Sequence, residues 1–261
     1  MDELETKKRR VDTEELNIKK KCKTESVDSD KQINSDKGDN SKTDADCAIS
    51  KNGAKSLSWK ELRAENLVCD YCMLFNKTQA DDIFEECEKL LTYNDGKLAQ
   101  IKLYGKWINI PRKQVAHGDA GLSYNFSGTS VPARPWTPFL ENIRDIISDA
   151  TGFDFNFVLI NRYKDGHDYI GEHRDDEKDL VNGHPIASLS LGQPRDFIFK
   201  HASARGKNAT CKIDPVKIEL EHGSLLVMKH PTNTYWYHSL PQRKKLTQVR
   251  INMTFRKMVV K

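Results

Sequence analysis

The chain has 261 residues, room for one large domain or two small ones, with 37% hydrophobic residues, 31% charged residues and a formal net charge of +4. It holds no apolar run of about 18 residues and no signal-peptide pattern, which argues against a membrane span and against secretion and leads us to expect a soluble protein. Six cysteines, at 22, 47, 69, 72, 87 and 211, follow no disulfide framework and fit a reducing, intracellular compartment.

Residues 1–56 carry 13 Lys/Arg and 13 Asp/Glu, no aromatic residue and no apolar periodicity. Such a segment buries too little surface to offset its ordering entropy, so it is expected to be a disordered tail. Within it, Lys7-Lys8-Arg9-Arg10 followed by Lys19-Lys20-Lys21 has the form of a two-part nuclear import signal, so a nuclear location is expected. Residues 57–261 carry every aromatic and are expected to form one domain.

In that domain, 67–75 reads as a short strand. Its Cys69-Asp-Tyr-Cys72 lacks a second pair at zinc spacing, and in a strand the two thiols would face opposite sides. Thr78-Gln-Ala-Asp81 resembles a capping box opening a helix with Ile83, Phe84, Cys87, Leu90 and Leu91 on one side. The stretch 98–110 alternates as a hairpin broken at Gly105, with Leu103-Tyr104-Gly105-Lys106 at its tip and Pro111-Arg112-Lys113 beyond. That tip reads either as a turn packed on its own domain or as a wedge between stacked bases flanked by phosphate contacts. Thr137 and Pro138 stand as cap and first residue of a second helix, striped by Phe139, Ile143, Ile146, Ile147 and Ala150 and ended by Gly152. From Phe153 the period becomes two, with strands expected at 155–163, 186–192, 195–201, 215–221, 224–229, 233–239 and 247–258. Two helices followed by a run of strands is α+β with a sandwich or barrel core. Residues 200–261 hold 13 Lys/Arg against only Asp214, Glu219 and Glu221, which reads as a solvated surface or as the footprint of a polyanionic partner.

The chemistry concentrates at Asn161–Glu177. In extended backbone His173 and Asp175, two apart, point to one face and can meet a single ion. A second imidazole would complete two histidines and one carboxylate, an arrangement that suits non-haem Fe(II) and leaves positions for O2 and an organic co-substrate. His238, near a strand end twelve residues before Arg250, is the choice for that ligand, with His222 and His230 as competitors. In Val249–Arg256 the odd positions are apolar, so Arg250, Asn252, Thr254 and Arg256 share the other face. Two arginines there call for an anion, and a dicarboxylic acid suits guanidinium forks. Asn161 and Tyr163 share a face and can donate to the same anion.

Asn161-x-Tyr163, His173-x-Asp175, His238 and Arg250-x-Asn-x-Thr-Phe-Arg256 together resemble the AlkB-homologue family of Fe(II)/2-oxoglutarate-dependent dioxygenases, from about Ser58 onward. The likeness is closest to its nuclear branch that repairs alkylated duplex DNA. It implies a double-stranded β-helix (jelly-roll) core with flanking helices and a β-hairpin lid. It implies Fe(II) on His173, Asp175 and His238, and 2-oxoglutarate held by Asn161, Tyr163, Arg250, Thr254 and Arg256, with O2 as oxidant. Tyr124-Asn-Phe126-Ser127 resembles the lid around a flipped base, and Asp176 and Glu177 would face a cationic methylated base. Tyr104, with Gly105 and Lys106, stands where the family carries a gap-filling aromatic finger. Arg205-Gly-Lys207 and Arg243-Lys244-Lys245 resemble its phosphate-contacting loops, beside Arg112 and Lys113. The implied reaction is oxidative demethylation of 1-methyladenine or 3-methylcytosine in DNA, releasing formaldehyde and succinate, by a monomer. Nuclear repair or replication partners would accompany it, although Met1-Asp-Glu-Leu-Glu5 lacks the family's short clamp-recruiting motif. Three rivals stand beside this reading: an RNA demethylase of the same fold, a non-catalytic lesion-binding module, and a zinc hydrolase on the same triad.

Overall fold

The structure, a computed structural model, describes residues 57–103, 105–126, 129–175, 177–206 and 209–260. The tail, with its basic clusters and two of the cysteines, lies outside the described residues. The chain opens on β1 (Lys60–Ala64) and β2 (Leu67–Met73), then α1 (Lys77–Leu90). A hairpin of β3 (Gln100–Leu103) and β4 (Lys106–Asn109), then β5 (Lys113–Gly118), a second hairpin of β6 (Ser123–Phe126) and β7 (Thr129–Pro132), and α2 (Pro138–Thr151) follow. The rest is β8 (Phe157–Tyr163), β9 (Ile170–His173), β10 (Ile186–Gly192), β11 (Arg195–His201), β12 (Val216–Leu220), β13 (Ser224–Lys229), the short α3 (Thr232–Tyr235), β14 (Trp236–Leu240) and β15 (Arg250–Arg256).

Two antiparallel sheets face each other in a jelly-roll. The larger has the order β1-β2-β13-β10-β15-β8-β5 and the smaller β12-β11-β14-β9. Helices α1 and α2 cover the outer face of the larger sheet. There Ile83, Cys87, Ile143 and Ile147 pack on Val158, Ile160, Leu189, Ile251, Met253 and Phe255. Between the sheets a second cluster joins Tyr71, Tyr163, Phe197, Phe199, Leu226 and Trp236. Period-two alternation therefore has a specific consequence on β15: its apolar face meets the helices, and its polar face is buried as well, inside the sandwich. Cys69 and Cys72 belong to opposite clusters, as strand parity requires, and burial pushes both thiols up to about 12.

Local signals place the helices well, with one shift. Thr137 caps α2 through its hydroxyl, Pro138 is its first residue, and Gly152 ends it at φ 74°. The capping box of α1 is Asn76 with Gln79 rather than Thr78 with Asp81, because the Asn76 side chain accepts from Gln79 N at 3.0 Å and Gln79 Oε1 accepts from Asn76 N at 3.1 Å. Four strand regions lie outside those the sequence pattern predicts: β1, a mostly exposed charged edge strand; β5, buried on both faces; the β6–β7 hairpin; and the short β9. The expected strand at 233–239 begins as a helical turn, because the Thr232 hydroxyl bonds Val68 N and Val68 O on β2. The β3–β4 hairpin does not pack its apolar residues on the core: Trp107 pairs with Lys102 and is 56% exposed.

The loops at one end of the sandwich are tied together by backbone contacts. Gly166 N donates to Leu246 O at 2.8 Å and Arg243 N donates to Gly166 O at 2.7 Å. Buried Arg195 donates to the carbonyls of Asp165, Asp168 and Pro241 at 3.2, 2.9 and 2.8 Å. A Cβ at Gly166 would lie 1.8 Å from Arg243 O. Gly166→Ala must therefore push the 241–246 loop away, at a cost of about 2 kcal/mol, lowering the unfolding midpoint by roughly 4–8 °C. A thermal melt indistinguishable from wild type would show that this junction yields freely.

Candidate metal centre and co-substrate cavity

β9 and β14 are antiparallel neighbours, and their register sets His173 directly opposite His238. The two rings lie 4.3 Å apart between centroids, on the inner face of the smaller sheet. Asp175 follows just past the end of β9, its backbone pinned by Asn233, whose Oδ1 accepts from Asp175 N at 3.0 Å. Asp175 Oδ1 then stands 3.7 Å from His173 Nε2 and 3.9 Å from His238 Nε2. One ligand atom from each residue falls within 4.8 Å of the others, the spacing of a shared ion. His222 and His230 are elsewhere: His222 bridges Gly192 N and Asp81 across α1, and His230 precedes Pro231 before α3.

Protonation states fit a metal. His173 Nδ1 contacts Gly171 O at 2.9 Å, which places the ring proton there and leaves the Nε2 lone pair for the ion. Burial pushes the pKa of His173 down, against Asp175 beside it. Burial and then His173 push His238 down to about 3, so its imidazole is neutral. Burial alone would raise the Asp175 carboxyl, but the Arg256 guanidinium holds it below the usual carboxylate range. Among the described residues Asp175 Oδ2 is buried with no hydrogen-bond partner, an orphan that a cation would satisfy.

The cavity beside the triad is lined by Tyr124, Asn161, Tyr163, Arg250, Thr254 and Arg256 among others. Sequence parity put both arginines on one face, and they do share it, but they are not equivalent. Arg256 is already paired: Nη2 donates to Asp175 Oδ1 at 2.9 Å and Nη1 to Glu177 Oε1 at 2.8 Å. These carboxylates outweigh burial and raise its pKa. Arg250 has only neutral acceptors, Ser190 Oγ at 2.8 Å and Leu220 O at 3.4 Å, and no carboxylate among the described residues. Burial pushes it down to about 10, still cationic at neutral pH, and among the described residues its Nε, like that of Arg256, has no hydrogen-bond partner. A buried guanidinium without a counter-ion, facing a polar cavity, fits the carboxylate of a small dicarboxylic acid.

The remaining expected residues divide. Tyr124 lines the cavity with its ring 5.6 Å from the Arg256 guanidinium, and burial pushes its hydroxyl up to about 12. Glu177 turns to Arg256, so its charge is met inside the protein rather than held out to a base. Tyr104, Ser127, Asp176 and Lys207 lie outside the described residues, as does the Phe126 side chain. Gly105, at φ 80°, turns the β3–β4 hairpin. Lys106, Lys113, Lys244 and Lys245 are exposed. Three arginines expected at phosphates have protein partners in the structure: Arg112 on Asn161, Arg205 on Glu172 and over the Tyr237 ring, and Arg243 on Asp196. Sequence reasoning missed Ser190, which anchors Arg250, and Phe197, which stacks under His238 at 5.2 Å. No local pattern marks either one, because each acts across strands.

This difference between the arginines predicts a split. Arg256→Met removes the cation that keeps Asp175 ionised and oriented, so Mn(II) affinity falls by roughly 10–100-fold. Arg250→Met leaves Mn(II) affinity within about twofold and weakens 2-oxoglutarate binding instead, since additivity across separate partners is the expectation. Titrations of Mn(II), followed by 2-oxoglutarate, measure both. Equal effects of the two variants on metal would contradict the split.

A family model described as the 2OG-Fe(II) oxygenase superfamily matches residues 71–256. The chain is 56% identical over 203 residues to the Homo sapiens protein named DNA oxidative demethylase ALKBH2, covering 78% of each. It is 54% identical over 222 residues to the Bos taurus protein of that name, covering 84% of this chain and 80% of the relative. The Homo sapiens alpha-ketoglutarate-dependent dioxygenase alkB homolog 3 is 34% identical over 148 residues, covering 56% of this chain and 51% of the relative. The solved structure of OsALKBH1 has the same fold, with a TM-score of 0.50 at 18% identity, covering 77% of this chain and all of that one. Taken with the triad and the Arg250 guanidinium that no carboxylate meets among the described residues, these matches make the chain a dioxygenase that uses Fe(II), 2-oxoglutarate and O2, and it belongs to the 2OG-Fe(II) oxygenase superfamily, on the ALKBH2 branch of the AlkB-homologue family.

Proposed function

We propose that the chain is a DNA oxidative demethylase that removes methyl groups from ring nitrogens on the pairing edge, as in 1-methyladenine and 3-methylcytosine, preferring duplex DNA. The observation that carries this reading is the His173–Asp175–His238 triad facing, from the opposite sheet, the uncompensated Arg250, with an aromatic, Tyr124, on the same cavity. In this reading His173, Asp175 and His238 hold Fe(II), and Arg250, Asn161, Tyr163 and Thr254 hold 2-oxoglutarate. The bound metal and co-substrate supply the oxidation with O2: the N-methyl carbon leaves as formaldehyde, and the co-substrate leaves as succinate and CO2.

The chain's own residues supply position, charge and dryness. Arg250 presents its fork to a carboxylate where water is excluded, so the attraction is strong and directional. Arg256 contributes indirectly, by keeping Asp175 charged and aimed at the ion. Tyr124 offers a flat face to the extruded base, and with its hydroxyl pushed up to about 12 it stays neutral and able to donate. Methylation of the pairing edge weakens pairing, which lowers the cost of flipping the lesion out of the helix.

Duplex preference rests on the β3–β4 hairpin. Its tip residue Tyr104 would fill the gap left by the base, with exposed Lys106, Lys113, Lys244 and Lys245 on phosphates. Residues 57–261 form the catalytic domain in this reading. The two basic clusters of the tail direct it to the nucleus, where its substrate is.

Formaldehyde release from a duplex bearing a single 1-methyladenine tests the proposal. Release requires 2-oxoglutarate and falls to background in His173→Ala. Tyr104→Ala lowers release from the duplex by about tenfold, because one stacking contact is worth roughly 1–3 kcal/mol, and spares single strands. Turnover surviving His173→Ala would remove the metal assignment. A duplex rate indifferent to Tyr104→Ala would move the substrate to single strands or RNA.

A further inference from the structure

Strand register builds a polar row across the inner face of the larger sheet. Gln114 on β5 pairs with Asn161 on β8, Asn161 with Asn252 on β15, and Asn252 with Ser190 on β10. Directly opposed residues point to one face, so these four side chains line up beneath the cavity. Asn161 and Asn252 line it, and Gln114 is the buried end of the row.

We infer that Gln114, together with Arg112, is a positioning residue for the co-substrate: the two fix the Asn161 amide so that its NH2 group faces the cavity as a donor. The inference rests on the assignment of Asn161 to 2-oxoglutarate made above. Arg112 Nε lies 2.8 Å from Asn161 Oδ1, and a guanidinium only donates, so that atom is the carbonyl oxygen whichever way an amide is drawn. Gln114 Nε2 lies 2.9 Å from the same oxygen. With both lone pairs of Oδ1 taken, Nδ2 is left to point at the ligand, where it complements a carboxylate or keto oxygen and repels nothing. A free asparagine would sample both orientations and present an oxygen to an anion half the time.

A second observation supports a directed role for Gln114. Its own Oε1 is buried with no hydrogen-bond partner among the described residues. An apolar residue of similar size would avoid that unpaired carbonyl, so the amide is costly to folding and is explained by the donor it aims at Asn161. The second anchor, Arg112, also donates to Tyr169 O at 3.4 Å, on the loop entering β9. The expected phosphate contact is in this way an internal brace between the hairpin side of the sheet and the metal strand.

The role predicts an order among variants that shape alone does not. Gln114→Glu keeps the outline but replaces the donor by a carboxylate, which attracts Nδ2 and turns the Asn161 oxygen into the cavity. Gln114→Leu only removes one of two anchors. Titration of the Mn(II)-loaded full chain with 2-oxoglutarate, monitored by calorimetry, is expected to show Kd raised about tenfold or more for Gln114→Glu and about threefold for Gln114→Leu, a hydrogen bond's worth or less. The unfolding midpoint of Gln114→Leu is at or above wild type. In steady state the KM for 2-oxoglutarate rises in the same order, while kcat at saturating co-substrate stays near wild type. Equal Kd values for wild type and Gln114→Glu would overturn the inference, as would Gln114→Leu being the worse of the two. Failure of the wild-type chain to bind 2-oxoglutarate, or wild-type affinity in Arg250→Met, would instead overturn the site assignment beneath it.

Discussion

The ion pair between Arg256 and Asp175 is the constraint on which the site depends. Both groups are buried between the sheets, where an isolated charge costs several kcal/mol, so neither is tolerable without the other. The pair spans 81 positions of sequence and joins the last strand of the larger sheet to the residue just past β9 of the smaller one. It does more than close the sandwich. By holding Asp175 ionised against its own burial, it prepares a carboxylate for a metal at the point where His173 and His238 converge. It also neutralises Arg256, which leaves Arg250 as the unneutralised cation of the cavity.

β15 shows how such a site is compatible with a stable core. A strand with one apolar and one polar face normally lies at a surface, with the polar face in water. Here the polar face is enclosed, and Arg250, Asn252 and Thr254 each find a partner within the sheet. Arg250 has Ser190, Asn252 has Ser188 and Leu189 O, and Thr254 has Asn252. All but the Thr254–Asn252 bond run across the sheet rather than along the chain. The apolar face, meanwhile, anchors the whole strand beneath α1 and α2, so the polar face is presented by a rigid element.

The surface around the cavity is organised on different terms. The arginines nearest the site are spent on internal carboxylates, carbonyls and an aromatic ring, and they stiffen the loops. The lysines at 106, 113, 244 and 245 remain exposed. This division follows from chemistry: a guanidinium fork satisfies several acceptors at once in a partly buried place, whereas an ammonium on a flexible stem keeps its hydration and suits a transient contact with phosphate. Exposed Trp107 on β4 belongs with the lysines, since the hairpin that bears it stands off the core.

The sequence by itself determined whatever depends on neighbours a few positions away. Thr137, Pro138 and Gly152 bound α2 because capping is local, and alternation located most core strands to within a few residues because the pleat has a period of two. The same period aligned Arg250, Asn252, Thr254 and Arg256, and the ordered set carried the family resemblance. Where burial broke the alternation, as in β5 with both faces covered, or where an edge strand such as β1 had no apolar face, the signal failed. Only the tertiary structure decided which arginine is neutralised, that Glu177 turns inward, that Arg112 braces Asn161 and that Gln114 stands in the polar row. These follow from cross-strand register and from burial, which pair residues 47 to 81 positions apart and set the cost of every charge left alone.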